Sequence, residues 1–177
     1  ESDMDNDRFV DTRLASKTTL ASCIKRYGEE VTPLKKGSIQ ELSKLKVILN
    51  NLISKLKMLD LKTANIASYR NDRLKLVSSG TVLRELALIS NIFNVAISEW
   101  QIEGILNPVQ TVKKPPPGKA RDRRLMDGEL DAILNSTGSE SLSGLILLFI
   151  ETAMRRSEMA ALRWEDINLE GRYAYLH

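Results

Sequence analysis

The sequence predicts a mainly α-helical chain in two unequal parts, joined by a basic, proline-rich connector. Three observations predict it. Four stretches of helical apolar spacing fill the first hundred residues with no strand pattern between them. Four of the five prolines fall within residues 107–125, three of them consecutive. The final stretch, EDINLEGRYAYLH, turns at Glu170-Gly171 into an alternating, strand-like spacing.

Residues 1–16 lack apolar periodicity and read as a tail or connector. From Thr18 onward Leu20, Ile24 and Tyr27 recur at helical spacing. The segment SIQELSKLKVILNNLISKL opens with Ser38 and carries Glu41 three residues later, the pattern of a reciprocal helix cap. Its expected apolar stripe is Ile39, Leu42, Leu45, Leu49, Leu52, Ile53 and Leu56, with Lys44, Lys46, Lys55 and Lys57 mostly off it. Thr63 is expected to cap a helix reaching Val77, with Ile66, Tyr69, Arg70 and Leu74 along it. SSGTVLRELALISNIFNVAISEWQI carries the strongest pattern. Leu86, Ile89, Phe93, Ala96 and Trp100 make its inner face, and Arg84, Asn91, Asn94 and Ser98 are turned away.

Residues 17–106 are therefore expected to form an all-α domain, and residues 107–124 a linker. The prolines rule out helix and strand there and leave an extended, semi-rigid connector. Lys113, Lys114, Lys119, Arg121, Arg123 and Arg124 make it basic, with only Asp122 opposing. The second domain, 125–177, opens with LMDGELDAIL, where Asp127 is the expected cap. SLSGLILLFIETA is expected as a buried helix, followed by a break near Met154 and a short helix through RSEMAALRW. A lone final strand cannot satisfy its own backbone, so this domain is expected to be truncated.

Composition narrows the function classes. Hydrophobic residues make up 42% of the chain but aromatics only 5%, so Leu, Ile, Val and Ala must fill the core. One cysteine, Cys23, and one histidine, His177, cannot make an internal disulfide or enclose a metal ion. No metal and no cofactor is expected, and the cysteine usage fits a reducing, cytoplasmic setting. LILLFI, the longest unbroken apolar run, is too short to cross a bilayer, so no membrane partner is expected. The acidic start is the reverse of a secretory leader, and Glu1 in place of Met suits a processed product or fragment.

The net charge of +3 hides an uneven distribution. Residues 1–16 carry two basic and five acidic side chains, residues 17–125 twenty and nine, and residues 126–177 four and nine. A basic middle between acidic ends is the footprint of a polyanion-binding segment. The bland alternative is a set of lysine-rich, solvated helix faces.

Against that background Arg155 and Arg156 stand out, because they interrupt an otherwise apolar run. The stretch TAMRRSEMAALRWEDINL resembles the first active-site motif of the tyrosine recombinase (phage integrase) family, T-G-x-R-x-x-E-L-x-x-L-x-W-x-D-I. Thr152, Arg155, Glu158, Leu162, Trp164, Asp166 and Ile167 match it. Ala153 stands where glycine is usual, and Met159 replaces leucine. The TVLRELALISNIFNVAISEW helix, the NPV opening of the linker and the RDRRL stretch extend the resemblance over roughly residues 17–177.

The resemblance implies a four-helix SAM-like core-binding domain followed by the opening part of an α+β integrase catalytic domain. It implies site-specific DNA recombination, in which a tyrosine hydroxyl attacks a DNA phosphate to form a 3′-phosphotyrosyl link without metal or nucleotide. Arg155 would be the first catalytic arginine, its forked guanidinium holding the scissile phosphate. Glu158 would orient it, and Arg156 would face the surface or the DNA backbone. The alternative for Arg155 is a buried arginine paired with Glu151 or Glu158. Expected DNA contacts are Lys17, Thr18 and Thr19 at the first helix start, Arg84, Lys119 and Arg121, with Asn91 and Asn94 able to reach base edges.

The family's lysine, H-x-x-R motif and nucleophilic tyrosine all lie beyond the first strand and find no match here. Tyr173 and Tyr175 read as one face of a sheet, Tyr27 and Tyr69 as packing residues, and His177 has no arginine three residues on. The chain alone is expected to bind double-stranded DNA as a monomer without recombining it, whereas full-length family members act as tetramers. Two alternatives remain from other classes: a non-catalytic DNA-binding module, such as an integrase remnant, and a helical protein-interaction domain.

Overall fold

The computed structural model describes residues 11–120 and 122–176. They fall into two compact units that divide between Ala120 and Arg121. Both are mainly helical, as the sequence predicts.

The first unit holds helices α1 (Arg13–Lys17), α2 (Leu20–Glu30), α3 (Ser38–Leu49), α4 (Thr63–Leu74) and α5 (Ser79–Ser98). α1 corrects the expected tail. Ala15 is fully buried, so the chain joins the core before residue 17. A five-residue helix has little intrinsic stability, and here tertiary packing supplies it. α2 buries Leu20, Cys23, Ile24 and Tyr27 at the predicted spacing. Its cap is Thr19, whose hydroxyl accepts from Ser22 N–H at 3.2 Å while Ser22 Oγ accepts from Thr19 N–H at 3.1 Å.

α3 departs from expectation at both ends. Gly37, not Ser38, is the N-cap, because the Glu41 carboxylate is drawn away from the helix start. It accepts from Lys35 Nζ at 2.9 Å and from Thr32 Oγ1 at 2.8 Å, and Lys35 also donates to Tyr27 OH at 2.7 Å. A charge-assisted bond outweighs a neutral cap. At the other end the helix stops at Leu49. Asn51 accepts from Ile53 N–H and starts a separate 3-10 turn, Leu52–Lys55. That break rotates the predicted stripe, leaving Ile39 and Leu52 each 75% exposed while Leu45, Ile48 and Ile53 are buried.

α4 is capped by Lys62, with Asn65 Oδ1 accepting its N–H at 2.9 Å, so Thr63 is the first helical residue and not the cap. The helix ends at Leu74, three residues short of Val77. α5 is the core element. Val82, Leu86, Leu88, Ile89, Ile92, Phe93 and Ala96 are buried along it, and each large apolar side chain stabilises the fold by about 1.5–3 kcal/mol. Among the described helices α5 alone is long and apolar enough to cross a bilayer, but its apolar face is packed within this unit.

Glu85 sits in that face at 2% exposure. Its carboxylate accepts from Tyr69 OH at 2.9 Å and from Arg73 Nε and Nη2 at 2.9 and 2.7 Å, which ties α4 to α5. Burial and the Glu85 charge push the Tyr69 hydroxyl pKa upward, so it stays a proton donor. Trp100 closes the end of the unit, donating from Nε1 to Glu30 at 3.1 Å beneath the Arg26 guanidinium.

The chain does not leave the first unit at residue 106. Asn107, Pro108, Val109, Val112 and Pro115 are all buried in it, which corrects the start of the expected linker. The prolines and valines supply apolar surface, and residues 108–111 form a turn, with Gln110 N–H donating to the Asn107 carbonyl at 3.3 Å.

The second unit contains α6 (Glu129–Ser136), α7 (Glu140–Thr152), α8 (Arg156–Ala161) and the antiparallel pair β1 (Ile167–Asn168) and β2 (Tyr173–Ala174). Gly128, at φ +80°, caps α6 in place of Asp127. Glu129 Oε2 instead accepts from Met126 N–H at 3.0 Å. The final strand is not lone, because Ile167 pairs with Ala174 and Asn168 with Tyr173. α7 contradicts its expected burial, since none of its residues is buried. Leu142, Leu145, Leu147, Leu148 and Ile150 are all more than 40% exposed. A helix apolar on every side needs neighbours on every side. The described elements of this unit bury only Met159 and Asp166.

Candidate functional site

The double arginine lies where α7 ends and α8 begins. Ala153 closes α7 in the left-handed conformation, at φ +52° and ψ +22°. That conformation is why glycine suits the position, and an alanine there carries strain of about 1 kcal/mol. The turn throws Arg155 out of the helix as the extended N-cap of α8, at φ −72° and ψ +149°.

Its side chain is 83% exposed, so the burial in the alternative does not hold, although the pairing with Glu158 does. Arg155 Nη1 donates to Glu158 Oε1 at 2.8 Å, and Arg155 N–H donates to Glu158 Oε2 at 2.7 Å. One carboxylate therefore fixes both the backbone and the guanidinium of the same residue. These two bonds, the backbone one first, hold the Glu158 carboxyl below its usual pKa, and the pairing raises that of Arg155. The Nε and Nη2 donors of Arg155 make no hydrogen bond to the described residues, so they face solvent as a ready fork. Arg156 is the first residue of α8 and is exposed.

The rest of the motif serves the fold around this fork. Met159 and Asp166 are buried, and Asp166 Oδ2 accepts from Arg163 N–H at 3.1 Å. Trp164 lies exposed on the turn Trp164–Asp166. Tyr173 and Tyr175 are both exposed on the hairpin, their rings edge to face at 5.3 Å. Asn168 Nδ2 donates to the Tyr173 hydroxyl at 3.2 Å. Tyr27 and Tyr69 are buried, as packing residues should be.

In the first unit the predicted contacts divide. Arg84, Asn91 and Asn94 are all exposed and share one face of α5 at helical spacing. Asn94 is not a free reader of bases, however. One lone pair of its Oδ1 is committed to Asn107 Nδ2 at 2.8 Å. Lys17 is exposed at the end of α1. Thr18 and Thr19 are half-buried, and the start of α2 is largely satisfied from within. Leu20 N–H donates to the Leu56 carbonyl, Ser22 N–H to Thr19 Oγ1 and Cys23 N–H to the Thr19 carbonyl. Of its first four N–H groups only that of Ala21 is left for an anion. Lys119 is exposed on extended chain, and Arg121 lies outside the described residues, as does His177. No three His, Cys, Asp or Glu side chains among the described residues converge to hold a metal.

Two polar clusters escaped the sequence reading. Glu85 with Tyr69 and Arg73 gave no signal beyond an acid in an apolar stripe. Asn107 is 7% exposed and bonded on every side, and its only sequence sign is an asparagine before proline.

Comparison with known proteins gives the site its context. No family model matches the chain. Over 170 residues it is 36% identical to a shufflon-specific DNA recombinase of Escherichia coli, an alignment covering 90% of this chain and 44% of the relative. It is 30% identical over 173 residues to an integrase/recombinase homologue of Haemophilus influenzae, covering 92% of this chain and 56% of that protein. The chain thus spans about half the length of the curated relatives it matches. Its fold is similar to lambda integrase in a tetramer bound to a Holliday junction, with a TM-score of 0.74 and 24% identity over 86% of this chain and 44% of that one. A lambda integrase dimer bound to a COC′ core site gives a TM-score of 0.72 at 24% identity, over 86% and 56% of the two chains. With the arginine motif displayed at an exposed helix junction, the chain is similar over about nine-tenths of its length to curated DNA recombinases, and it shares the fold of lambda integrase.

Proposed function

We propose that this chain is the DNA-gripping part of a site-specific tyrosine recombinase, with residues 17–106 as its core-binding domain and residues 125–177 as the opening of its catalytic domain. The observation that carries the proposal is Arg155. It is displayed at the α7–α8 junction, oriented by Glu158 and set in a stretch that resembles the first active-site motif of the tyrosine recombinase family. In this reading the free edge of the guanidinium binds the non-bridging oxygens of the scissile phosphate and stabilises the charge that gathers there. Glu158 holds the fork in place and makes no contact with DNA.

Arg84 and Asn91 lie along one exposed face of α5 and meet the duplex there, with Lys17 and Lys119 as further phosphate contacts. Thr18, Thr19 and Asn94 contribute less, because their polar groups already serve the fold. The partner is double-stranded DNA in the cytoplasm. No membrane and no cofactor takes part. The chain itself binds as a monomer, and the tetrameric state belongs to the whole recombinase. None of Tyr27, Tyr69, Tyr173 and Tyr175 acts as nucleophile, so the chain binds without cutting. That last feature equally favours a second reading, a DNA-binding module that occupies sites without catalysis.

The test is a titration of the chain onto a labelled duplex at salt concentrations from about 50 to 200 mM. A DNA clamp with several phosphate contacts loses affinity along a line in log–log coordinates, with a slope of about 0.9 per contact. Absence of binding at the lowest salt would leave the basic middle of the chain as a merely solvated surface.

A further inference from the structure

The side-chain amide of Asn94 has one end fixed and one end open, and Asn107 decides which is which. Asn107 is 7% exposed, and two backbone groups set its own orientation without choice. Val109 N–H can only donate, and it does so to Asn107 Oδ1 at 3.1 Å. The Ser90 carbonyl can only accept, and it does so from Asn107 Nδ2 at 3.1 Å. With Asn107 fixed in this way, its Nδ2 protons also meet Ser90 Oγ and Asn94 Oδ1, each at 2.8 Å. The Asn94 atom at that distance must be an acceptor. The reverse orientation of the Asn94 amide would set two donors against each other.

The consequence lies on the outer face of α5. Asn94 is exposed, and its Nδ2 makes no hydrogen bond to the described residues. It therefore turns its donors to solvent and keeps its acceptor against Asn107. Asn91, three residues earlier on the same exposed face, has no such partner among the described residues, and both ends of its amide are available. Two asparagines that look equivalent in the sequence are thus different groups. Asn91 can offer a donor and an acceptor side by side, the pair that adenine N7 and N6 require. Asn94 offers donors only.

We propose that Asn107 is a positioning residue that locks the Asn94 amide donor-outward, so that this point of α5 takes a hydrogen-bond acceptor of the duplex and rejects an adenine edge. The proposal rests on the reading of α5 as a DNA-facing helix. Two sources on DNA carry the required chemistry. One is a phosphate oxygen, and the other is guanine, whose major-groove edge holds N7 and O6 as acceptors and no donor. In either case Asn107 acts through Asn94 and does not itself touch DNA. The lock matters because a freely turning amide satisfies donor and acceptor edges alike and so discriminates between neither.

Side-chain amide exchange, followed by NMR on the whole chain without DNA, tests the lock by itself. The Asn107 NH2 group is expected to be protected, and that of Asn94 to exchange as fast as that of Asn91. Protection of the Asn94 NH2 group in place of the Asn107 group overturns the proposal. Selection from a randomised duplex library then compares the parental chain with Asn94→Ala, a substitution that an exposed helix face tolerates. Loss of a G·C preference at one position supports the guanine source, provided that 7-deazaguanine there weakens the parental chain about fivefold and the variant not at all. A loss of about fivefold on every duplex supports the phosphate source, with an unchanged salt slope because asparagine carries no charge. Loss of an A·T preference, or no change in preference or affinity, overturns the proposal, as does a G·C preference indifferent to 7-deazaguanine.

Asn107→Ala removes the lock alone, because Thr111 and Lys113 still fasten the neighbouring chain to Thr63 and Arg70 of α4. It is expected to admit adenine beside guanine at the same position or, for a phosphate contact, to weaken binding part of the way towards Asn94→Ala. Parental preference and parental affinity in Asn107→Ala would overturn its positioning role. Should Asn107→Ala fail to fold, the exchange pattern and Asn94→Ala still decide the matter. Should the parental chain bind no duplex, the clamp reading falls and takes the DNA half of the proposal with it, and the exchange pattern decides the lock.

Discussion

Glu85 is the residue whose loss should cost the first unit most for its size. Replacing it with alanine removes a carboxylate at 2% exposure that receives three hydrogen bonds, two from Arg73 and one from Tyr69. The Arg73 side chain is only 15% exposed, so water cannot fully replace its partner. Breaking a buried pair by removing one member costs about 3–5 kcal/mol, because the remaining charge is left uncompensated. The Tyr69 hydroxyl, buried and without its acceptor, adds to that penalty. Against a total stability of about 5–15 kcal/mol for a domain, this is the difference between a folded and a marginal unit. Urea unfolding of the whole chain carrying Trp164→Phe, so that the fluorescence comes from Trp100 alone, reads it directly. Glu85→Gln keeps one acceptor oxygen and should lose less, and pairing Glu85→Ala with Arg73→Met should recover part of the loss in a double-mutant cycle. A loss below about 1 kcal/mol for Glu85→Ala would refute the reasoning, since a surface ion pair contributes that little.

Further expectations follow from other parts of the structure. Ala153→Gly relieves a positive φ at some cost in backbone entropy and should be neutral or mildly stabilising, whereas Ala153→Val should destabilise the second unit by about 1–2 kcal/mol in the same unfolding assay. Glu158 has a folded-state pKa below its ordinary value of 4.5. Its contribution is therefore fully present above that value and lost as pH falls through the folded pKa. Amide exchange at the start of α8 should accelerate in acid, and Glu158→Gln should abolish that pH dependence. Burial pushes the Cys23 thiol up to about 11, so a thiol reagent should react with it only as the chain unfolds.

Periodicity and motif were the legible parts of the sequence. The α5 stripe from Leu86 to Ala96 is buried as predicted, because a 20-residue amphipathic pattern leaves few alternatives. Arg155 and Glu158 meet as the motif implies, because three residues of separation at a helix start bring a carboxylate back onto its own cap. What was not legible depends on partners distant in sequence. Glu41 leaves its capping role for Lys35 and Thr32, and Ala15 joins a core no local pattern announces. Asn107 reads as the beginning of a linker but is bound by Ser90 and by Asn94, the latter expected on the outward face of α5. α7 failed in the opposite sense. Its apolar composition implies burial, but the described residues of the second unit provide too few neighbours to cover it.

The measurement that tests the central claim most directly is duplex binding by the parental chain, Arg155→Ala and Arg84→Ala across a salt series. The account predicts affinity that falls steeply with salt and a slope reduced by about 0.9 in each variant, one phosphate contact apiece. Arg155→Ala with parental affinity and parental slope would contradict it, because an arginine held out by Glu158 that meets no phosphate has no part in gripping DNA.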